Sequence, residues 1–439
     1  MYKQQQIVNL LTRRHILIAG YGREGRSTHS LLQQLVPSAS VDIGQNDEEI
    51  RTLLQQASAA HRPYDLIIKS PGIPTMKFEG LCDLSTITSQ TDIFLQVYGD
   101  QTIAVTGTKG KSTTSTLIWH ILNSSHSHGG NTILAGNMGI PLLDIIPQID
   151  EHSIIVAEFS CHQLEHIHRS PHIGLLLNLY QEHLDHYHNY RDYQMAKMQI
   201  MLHGTPYDHT FYCTDSPDLD NLVHELLPQI TTIVHPYSLT EAKHSAVASM
   251  PTNLKGDHNL SNIYAAFQAT ALAGVSTEEF TSALASFKGL PHRLEYVGTF
   301  HDITFYNDSI STIPQATIAA VSALRQVDTL ILGGFDRGID YSTLRDFLFQ
   351  PSGPGASVRN LVLVGAAGRR MFSQWEQIPA FQNKNTLLEN DYRTIVRWCY
   401  QHTRQGHICL LSPAAASYDS FTNFEHRGDT FKQYILELK

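Results

Sequence analysis

Three times along the chain a short apolar run empties into a glycine-rich turn that opens a helix-like stretch, an order that restricts it to parallel strands joined by crossover helices. The segments are HILIAGYGREG, TIAVTGTKGKSTT and DTLILGGFDRG, the last followed by the similar NLVLVGAAG and HICLLSPAAAS. Strands are expected at Ile16 to Ala19, Leu66 to Ile68, Ile103 to Val105, Ile154 to Ala157 and Gly174 to Leu177, and helices at Ser27 to Leu35 and Ser112 to Leu122. The fold class is α/β. A chain of 439 residues is too long for one hydrophobic core, so roughly two to three domains are expected, with boundaries near residues 98 and 297.

Charge and composition narrow the function classes. Lys and Arg number 31 against 41 Asp and Glu, and the resulting charge of -10 argues against a broad nucleic-acid-binding surface while permitting a local anion site. The opening MYKQQQIVNLLTRRH has no apolar signal core, and no run of about 20 apolar residues follows, so a cytoplasmic protein without membrane insertion is expected. Five cysteines without a C-x-x-C pair read as reduced thiols. The Ser/His/Gly segment 124–131 reads as a loop.

Gly20, Gly22 and Gly25 spell G-x-G-x-x-G between the first strand and its helix, with Asp42 about 20 residues on. That pattern seats a dinucleotide, seats another diphosphate on a helix N-terminus, or makes only a tight turn. TGTKGKSTT, at 106–114, is the stronger signal. Its backbone N–H groups can surround phosphate oxygens, with Lys111 to neutralise charge and Ser112 to reach Mg2+, or it is a solvated Gly/Thr loop with two incidental lysines. Val105 stands where the usual phosphate-loop pattern has its first glycine.

Glu158 follows an apolar strand, at the end where open α/β sheets bind ligands, and suits either Mg2+ or the dipole of a following helix. His183, Asp185, His186 and His188 cluster, and the His183/His186 spacing invites a zinc reading. Against it, H-E-x-x-H is absent, and 25 histidines make chance pairs such as His162 and His166 expected. Asn259 and Asn262 share a helix face, where two amides can read a purine edge or cap the helix. Arg293 is an anion partner or a surface charge. Asn307, Asp308 and Ser309 form a ligand loop or an Asx turn after a short strand.

Taken in order, SPGIP, TGTKGKSTT, GNMGIP, EFSCHQLE, HLDHY, HNLSN, GLPHRLE, NDS, GGFDRG and LLSPAAASYDSFTNFEHRGDTF resemble the motif series of the Mur ligase family, ATP-dependent amide-forming enzymes of peptidoglycan precursor synthesis. The last segment resembles the glutamate-adding branch. The resemblance implies three domains: a Rossmann-like UDP-binding domain over 1–97, a P-loop-type central ATPase over 98–297, and a Rossmann-like C-terminal domain over 298–439 that binds glutamate. It assigns Gly22, Arg23, Glu24, Gly25, Asp42, Ser70, Pro71, Gly72 and Asn137 to the UDP-sugar. Gly107, Thr108, Gly110, Lys111, Ser112, Thr113, Asn259, Asn262, Arg293 and Asp308 go to ATP, and Arg337, Ser417, Tyr418 and Phe424 to glutamate.

The implied catalytic set is Lys111, Glu158, His183 and Lys197, the last carrying a carbamate made with CO2. Ser112, Glu158, His183 and Lys197 are the implied magnesium ligands. The implied reaction converts the carboxylate of UDP-N-acetylmuramoyl-L-alanine into an acyl phosphate, from which the glutamate amine displaces phosphate. The resemblance is to a monomer acting on small molecules.

Three departures stand out. Ile310 follows NDS where the family usually has lysine, STIPQAT keeps the Thr and Ala pattern only partly, and Glu182 precedes His183 where aspartate is common. Ile310 removes a cation near the phosphates or incoming substrate, which leaves D- and L-glutamate open as alternatives. A nicotinamide-dependent oxidoreductase and a non-catalytic nucleotide-sugar-binding regulator are the rival readings.

Overall fold

Apolar runs that end in small residues become the central strands of three sheets in the computed structural model, which describes residues 2–126, 129–137, 140–183, 186–418 and 420–439. The first sheet contains β1 (His15–Ala19), β2 (Ser40–Gly44), β3 (Leu66–Lys69) and β4 (Ile87–Thr88), all parallel, in the order β2-β1-β3-β4. The second contains β5 (Thr102–Thr106), β6 (Thr132–Gly136), β7 (Ile154–Glu158), β8 (Ile173–Leu176), β9 (His209–Cys213) and β10 (Ile233–Tyr237). These too are parallel, in the order β10-β9-β8-β5-β7-β6. Pro236 lies in β10, an edge strand, where a missing N–H costs no ladder bond.

The third sheet holds β11 (Glu295–Phe300), β12 (Ile303–Asn307), β13 (Val327–Gly333), β14 (Asn360–Val364), β15 (Asn385–Leu388) and β16 (Ile408–Leu411). Its order is β11-β12-β16-β13-β14-β15, with only the β11–β12 pair antiparallel. Successive residues alternate between two apolar layers, as parallel strands covered on both faces require. Leu330, Leu361 and Leu410 pack with Trp375 on one face, and Ile331, Val362 and Leu411 with Phe431 on the other.

The chain forms two compact units, Met1–Pro251 with Asp257–Ser286, and Thr252–Gly256 with Phe287–Lys439. The first unit contains two sheets because they share one core. Ile16 and Ile18 of β1 belong to the same buried cluster as Ile133 of β6 and Ile155 of β7.

Sheet order decides where ligands can be held. β1 has neighbours on both sides, β2 and β3, and β5 likewise sits between β8 and β7. The chain therefore crosses in opposite directions after each, opening a crevice at the carboxyl end of the strand. Both glycine motifs lie at such ends. The helix after β1 begins at Arg23 rather than Ser27, so Gly22 caps it and Gly25 falls in its first turn. A Cβ on Gly25 would stand 2.1 Å from the Gly20 carbonyl oxygen, so only glycine lets helix and strand approach this closely. No described helix is long and apolar enough to cross a membrane, and all five thiols are free.

Candidate active site

β5 delivers the chain into the turn Gly107–Gly110, and the helix Lys111–Ser124 starts directly after it. Gly110 has φ +87°, and a Cβ there would lie 2.8 Å from Asn262 Oδ1, so dihedral and crowding both demand glycine. The same contact puts Asn262, from the helix Asp257–Leu272 that also carries Asn259, over the turn. Ser112 and Thr113 occupy the first helical turn, where unpaired N–H groups favour an anion.

Lys111 Nζ donates to the carbonyl oxygens of Gly107 at 2.9 Å and Thr108 at 3.1 Å. Lys197, on the helix Tyr190–Leu202, is 2% exposed, and its Nζ donates to the same Gly107 oxygen at 3.0 Å. Burial pushes the Lys197 amine down to about 8, and the Lys111 charge acts in the same direction against Cys161, Glu182 and Glu158. Two lysines far apart in sequence therefore meet at one loop atom.

Glu158 ends β7 and is 2% exposed, rather than heading a helix. Its Oε1 accepts from Asn137 Nδ2 at 2.8 Å, whereas its buried Oε2 has no hydrogen-bond partner among the described residues. A buried carboxylate oxygen in that condition calls for a cation or a donor. His183 adopts φ +58°, and its ring centroid lies 5.9 Å from that of Tyr193, whose hydroxyl hydrogen-bonds Thr108 Oγ1 at 2.7 Å.

The His183/His186 pairing drawn from spacing does not form. His186 is buried with Nε2 3.8 Å from Glu165, whereas His183 groups with Cys161 and His162. His188 instead hydrogen-bonds Glu79 at 2.8 Å. Asp185 lies outside the described residues, as do residues 127–128 of the Ser/His/Gly segment and 138–139 of GNMGIP.

At the glycine turn after β1, Ser70 Oγ donates to the Gly20 carbonyl at 2.9 Å, which brings the Ser70, Pro71 and Gly72 segment beside it. Arg23 lines a cavity of about 510 Å³ with Arg26, Ser27, Ser30 and Asp144. Glu24 accepts from Gln163 Nε2 at 2.7 Å, and burial raises its carboxyl. Asp42 is not brought to this turn. It pairs with Leu17 in mid-strand, and its carboxylate meets Tyr64 at 2.8 Å and His15 at 3.3 Å, at the opposite end of the sheet.

In the second unit, Arg337 follows β13 and Ser417 follows β16, and these loops are joined where Phe335 N donates to the Ala416 carbonyl at 2.9 Å. Arg337 Nη2 donates to Thr312 O at 3.1 Å; Ser417 is buried and Tyr418 exposed. Phe424 begins the last helix, and its carbonyl accepts from Ser309 Oγ at 2.8 Å. Asp308 is 3% exposed and accepts from Ser412 Oγ at 2.7 Å and Leu294 N at 3.1 Å. Burial pushes its carboxyl up to about 6, against these bonds and the charge of Arg293.

Two organising residues escape sequence reasoning. Asn178 accepts from Lys109 N at 2.8 Å and donates to Lys109 O at 3.0 Å, clamping the phosphate-type loop. Its only sequence signal is a polar residue just past an apolar strand. Arg427, 1% exposed, donates to Ser309 Oγ and to the carbonyls of Ser309, Ala415 and Ala416.

Residues 105–270 match the model of the Mur ligase middle domain. Over 97% of its length the chain is 31% identical to 98% of the UDP-N-acetylmuramoylalanine--D-glutamate ligase of Desulfitobacterium hafniense (strain DSM 10664 / DCB-2). Among solved structures, MurF from Acinetobacter baumannii shares the fold with a TM-score of 0.60 and 14% identity, covering 99% of this chain and 98% of that one. MurF ligase from Thermotoga maritima in complex with ADP gives 0.55 and 15%, over 97% and 95%.

Two outcomes are expected. Asn178→Ala removes two hydrogen bonds at Lys109 and lowers stability by about 2 kcal/mol, with faster hydrogen exchange at the Lys109 amide. Asp308, raised when folded, holds a proton while the unfolded chain is already ionised. Its stabilisation is full below pH 3.8 and lost as the pH rises through about 6. Thermal unfolding against pH should lose on the order of 3 kcal/mol across that window, and Asp308→Asn should flatten the slope.

Proposed function

Because the chain belongs to the Mur ligase family, we propose that it is an ATP-dependent ligase joining D-glutamate to UDP-N-acetylmuramoyl-L-alanine in peptidoglycan precursor synthesis. The observation that carries this reading is the meeting of Lys111 and Lys197 on the Gly107 carbonyl, at the head of a helix N-terminus. Such a loop is short of negative charge and suited to a polyphosphate. A carboxylate is a poor acylating agent because oxide would have to leave. The γ-phosphoryl group of ATP first passes to it, ADP leaves, and the glutamate amine then displaces phosphate as the amide bond forms.

The chain's own residues divide this work. The loop amides and Lys111 hold and neutralise the phosphates, so that two anions approach one another. Asn262 and Asn259 address the base. The turn after β1, with Ser70, Arg23 and its neighbouring cavity, takes the UDP-sugar, and Arg337 with Ser417 takes the glutamate carboxylates. Asn137 orients Glu158.

Magnesium fits the donor set. Glu158 offers a buried oxygen without a hydrogen-bond partner among the described residues, Ser112 a hydroxyl and His183 an imidazole. Bound there, the ion would neutralise charge on the phosphates. Lys197 fits a carbamate, because an amine brought down to about 8 supplies the neutral form that reacts with CO2, and the product would replace a cation with oxygen ligands.

Phosphate release measured with ATP, UDP-N-acetylmuramoyl-L-alanine and D- or L-glutamate tests the assignment. Release is expected only with all three present and with the D form. Release without the nucleotide-sugar sinks the assignment, and a preference for L-glutamate moves the chain to the alternative specificity. Lys111→Ala is expected to cut turnover by roughly a hundredfold or more. Below pH about 8 the Lys197 ammonium dominates, so added bicarbonate should restore activity at mildly acidic pH. Indifference to bicarbonate would remove the carbamate.

A further inference from the structure

Cys161 and His162 open the short helix Cys161–Leu164, whose backbone is held by a capping box between Ser160 and Gln163. Side chains adjacent on a helix diverge, yet the ligating atoms of Cys161, His162 and His183 all lie within 4.8 Å of one another. On a tetrahedral zinc ion, one sulfur and two nitrogens stand about 3.3–3.8 Å apart, so a closure of about 1 Å brings the three into range. His183 has the room to supply it, since its side chain is 43% exposed. The rings of His162 and His183 already meet edge-on, 4.8 Å between centroids.

One observation sets His162 apart from a packed core. His162 Nε2 is buried and has no hydrogen-bond partner among the described residues, a condition that a buried polar atom rarely keeps. Cys161, 1% exposed, packs in an apolar cluster with Leu176 and Tyr187, forms no disulfide and keeps its thiol available to a metal. The His186 ring lies tilted against His162, 3.9 Å between centroids, with its Nε2 3.8 Å from Glu165 and outside the group of three ligating atoms.

We propose that Cys161, His162 and His183 form a binding site for a thiolate-seeking divalent ion of the zinc class, with its fourth coordination position facing solvent. The donor set decides the class. One thiolate and two imidazoles suit zinc or cobalt, whereas magnesium takes oxygen ligands. As the sulfur–metal bond forms, the thiol proton passes to solvent, and no oxidant or reductant is required. An ion held here engages the same His183 imidazole that the ligase reading directs toward magnesium. Zinc and turnover thus compete for one side chain.

Cobalt(II) titrated into the full chain without nucleotide tests the site. A near-ultraviolet thiolate-to-cobalt charge-transfer band is expected, saturating at one ion per chain, with visible bands of tetrahedral intensity. Cys161→Ser abolishes the charge-transfer band, His162→Ala weakens cobalt binding by roughly tenfold or more, and Cys82→Ser changes neither. Circular dichroism of each variant checks that it is folded. A wild-type spectrum without the thiolate band, or a band that survives in Cys161→Ser, overturns the proposal. These readings need no turnover, so they stand or fall apart from the ligase assignment.

Discussion

The carbonyl oxygen of Gly107 accepts from both Lys111 and Lys197, and the arrangement of the loop after β5 depends on that shared acceptor. Two unit charges about 4 Å apart repel by about 4 kcal/mol at an effective dielectric constant of about 20. Burial, joined by this repulsion, brings the Lys197 amine down to about 8, with Glu158 and Glu182 pulling the other way. The loop thus gathers two amines on its backbone carbonyls, one of them with a weakened hold on its proton. Gly107 faces no competing side chain, because its own crowded surroundings leave no space for one; a Cβ would stand 3.1 Å from that of Leu177.

Sheet topology is what turns this charge into an addressable site. β5 lies between β8 and β7, so the phosphate-type loop has Asn178 on one flank, just past β8, and Glu158 on the other, at the end of β7. Asn178 fixes the loop backbone, and Glu158 contributes a buried carboxylate oxygen that lacks a hydrogen-bond partner among the described residues. The same arrangement recurs in the second unit, where the loops after β13 and β16 emerge side by side from adjacent strands and are joined by Phe335 N and the Ala416 carbonyl; the β16 loop is tied to Ser309, after β12, by Arg427. Its guanidinium saturates four acceptors while buried, which suits Arg better than Lys because the fork reaches several carbonyls from one position.

What was legible in the chain was local. Apolar runs ending in glycine or small residues gave the strands and their turns, because a buried parallel strand and a tight βα turn each need particular residues in a row. The turn that ends at Gly110 and opens the helix at Lys111 was legible for the same reason, even with Val105 in place of a glycine, and so was the placing of Glu158 at a strand end. Contacts across the fold were not legible. Asp42 sat at the right distance from the glycines, but pairing opposite Leu17 put it in mid-strand, where Tyr64 and His15 claim its carboxylate. His186 had the right spacing from His183, yet the approach of the Cys161–Leu164 helix gave His183 different neighbours. The start of the helix at Arg23 was missed because a glycine within a first turn reads as a breaker until its closeness to Gly20 is seen.

The SPGIP turn and the segment following Glu158 are held together by a buried ionic contact as well as by the shared apolar core. Lys69, 1% exposed at the end of β3, donates to Ile73 O at 2.9 Å and to Glu165 Oε2 at 3.0 Å, while Thr75 Oγ1 donates to the other oxygen of Glu165 at 2.7 Å. Burial alone would raise the Glu165 carboxyl, but His186, Lys69 and His166 outweigh it and hold the group down to about 2. A charge pair of this kind adds little net stability over an apolar pair of equal shape, whereas losing one partner strands a buried charge at a cost of about 3–5 kcal/mol. Its contribution is therefore to register rather than to strength. An apolar contact tolerates sliding, but a lysine bonded both to the SPGIP turn and to the segment following Glu158 does not.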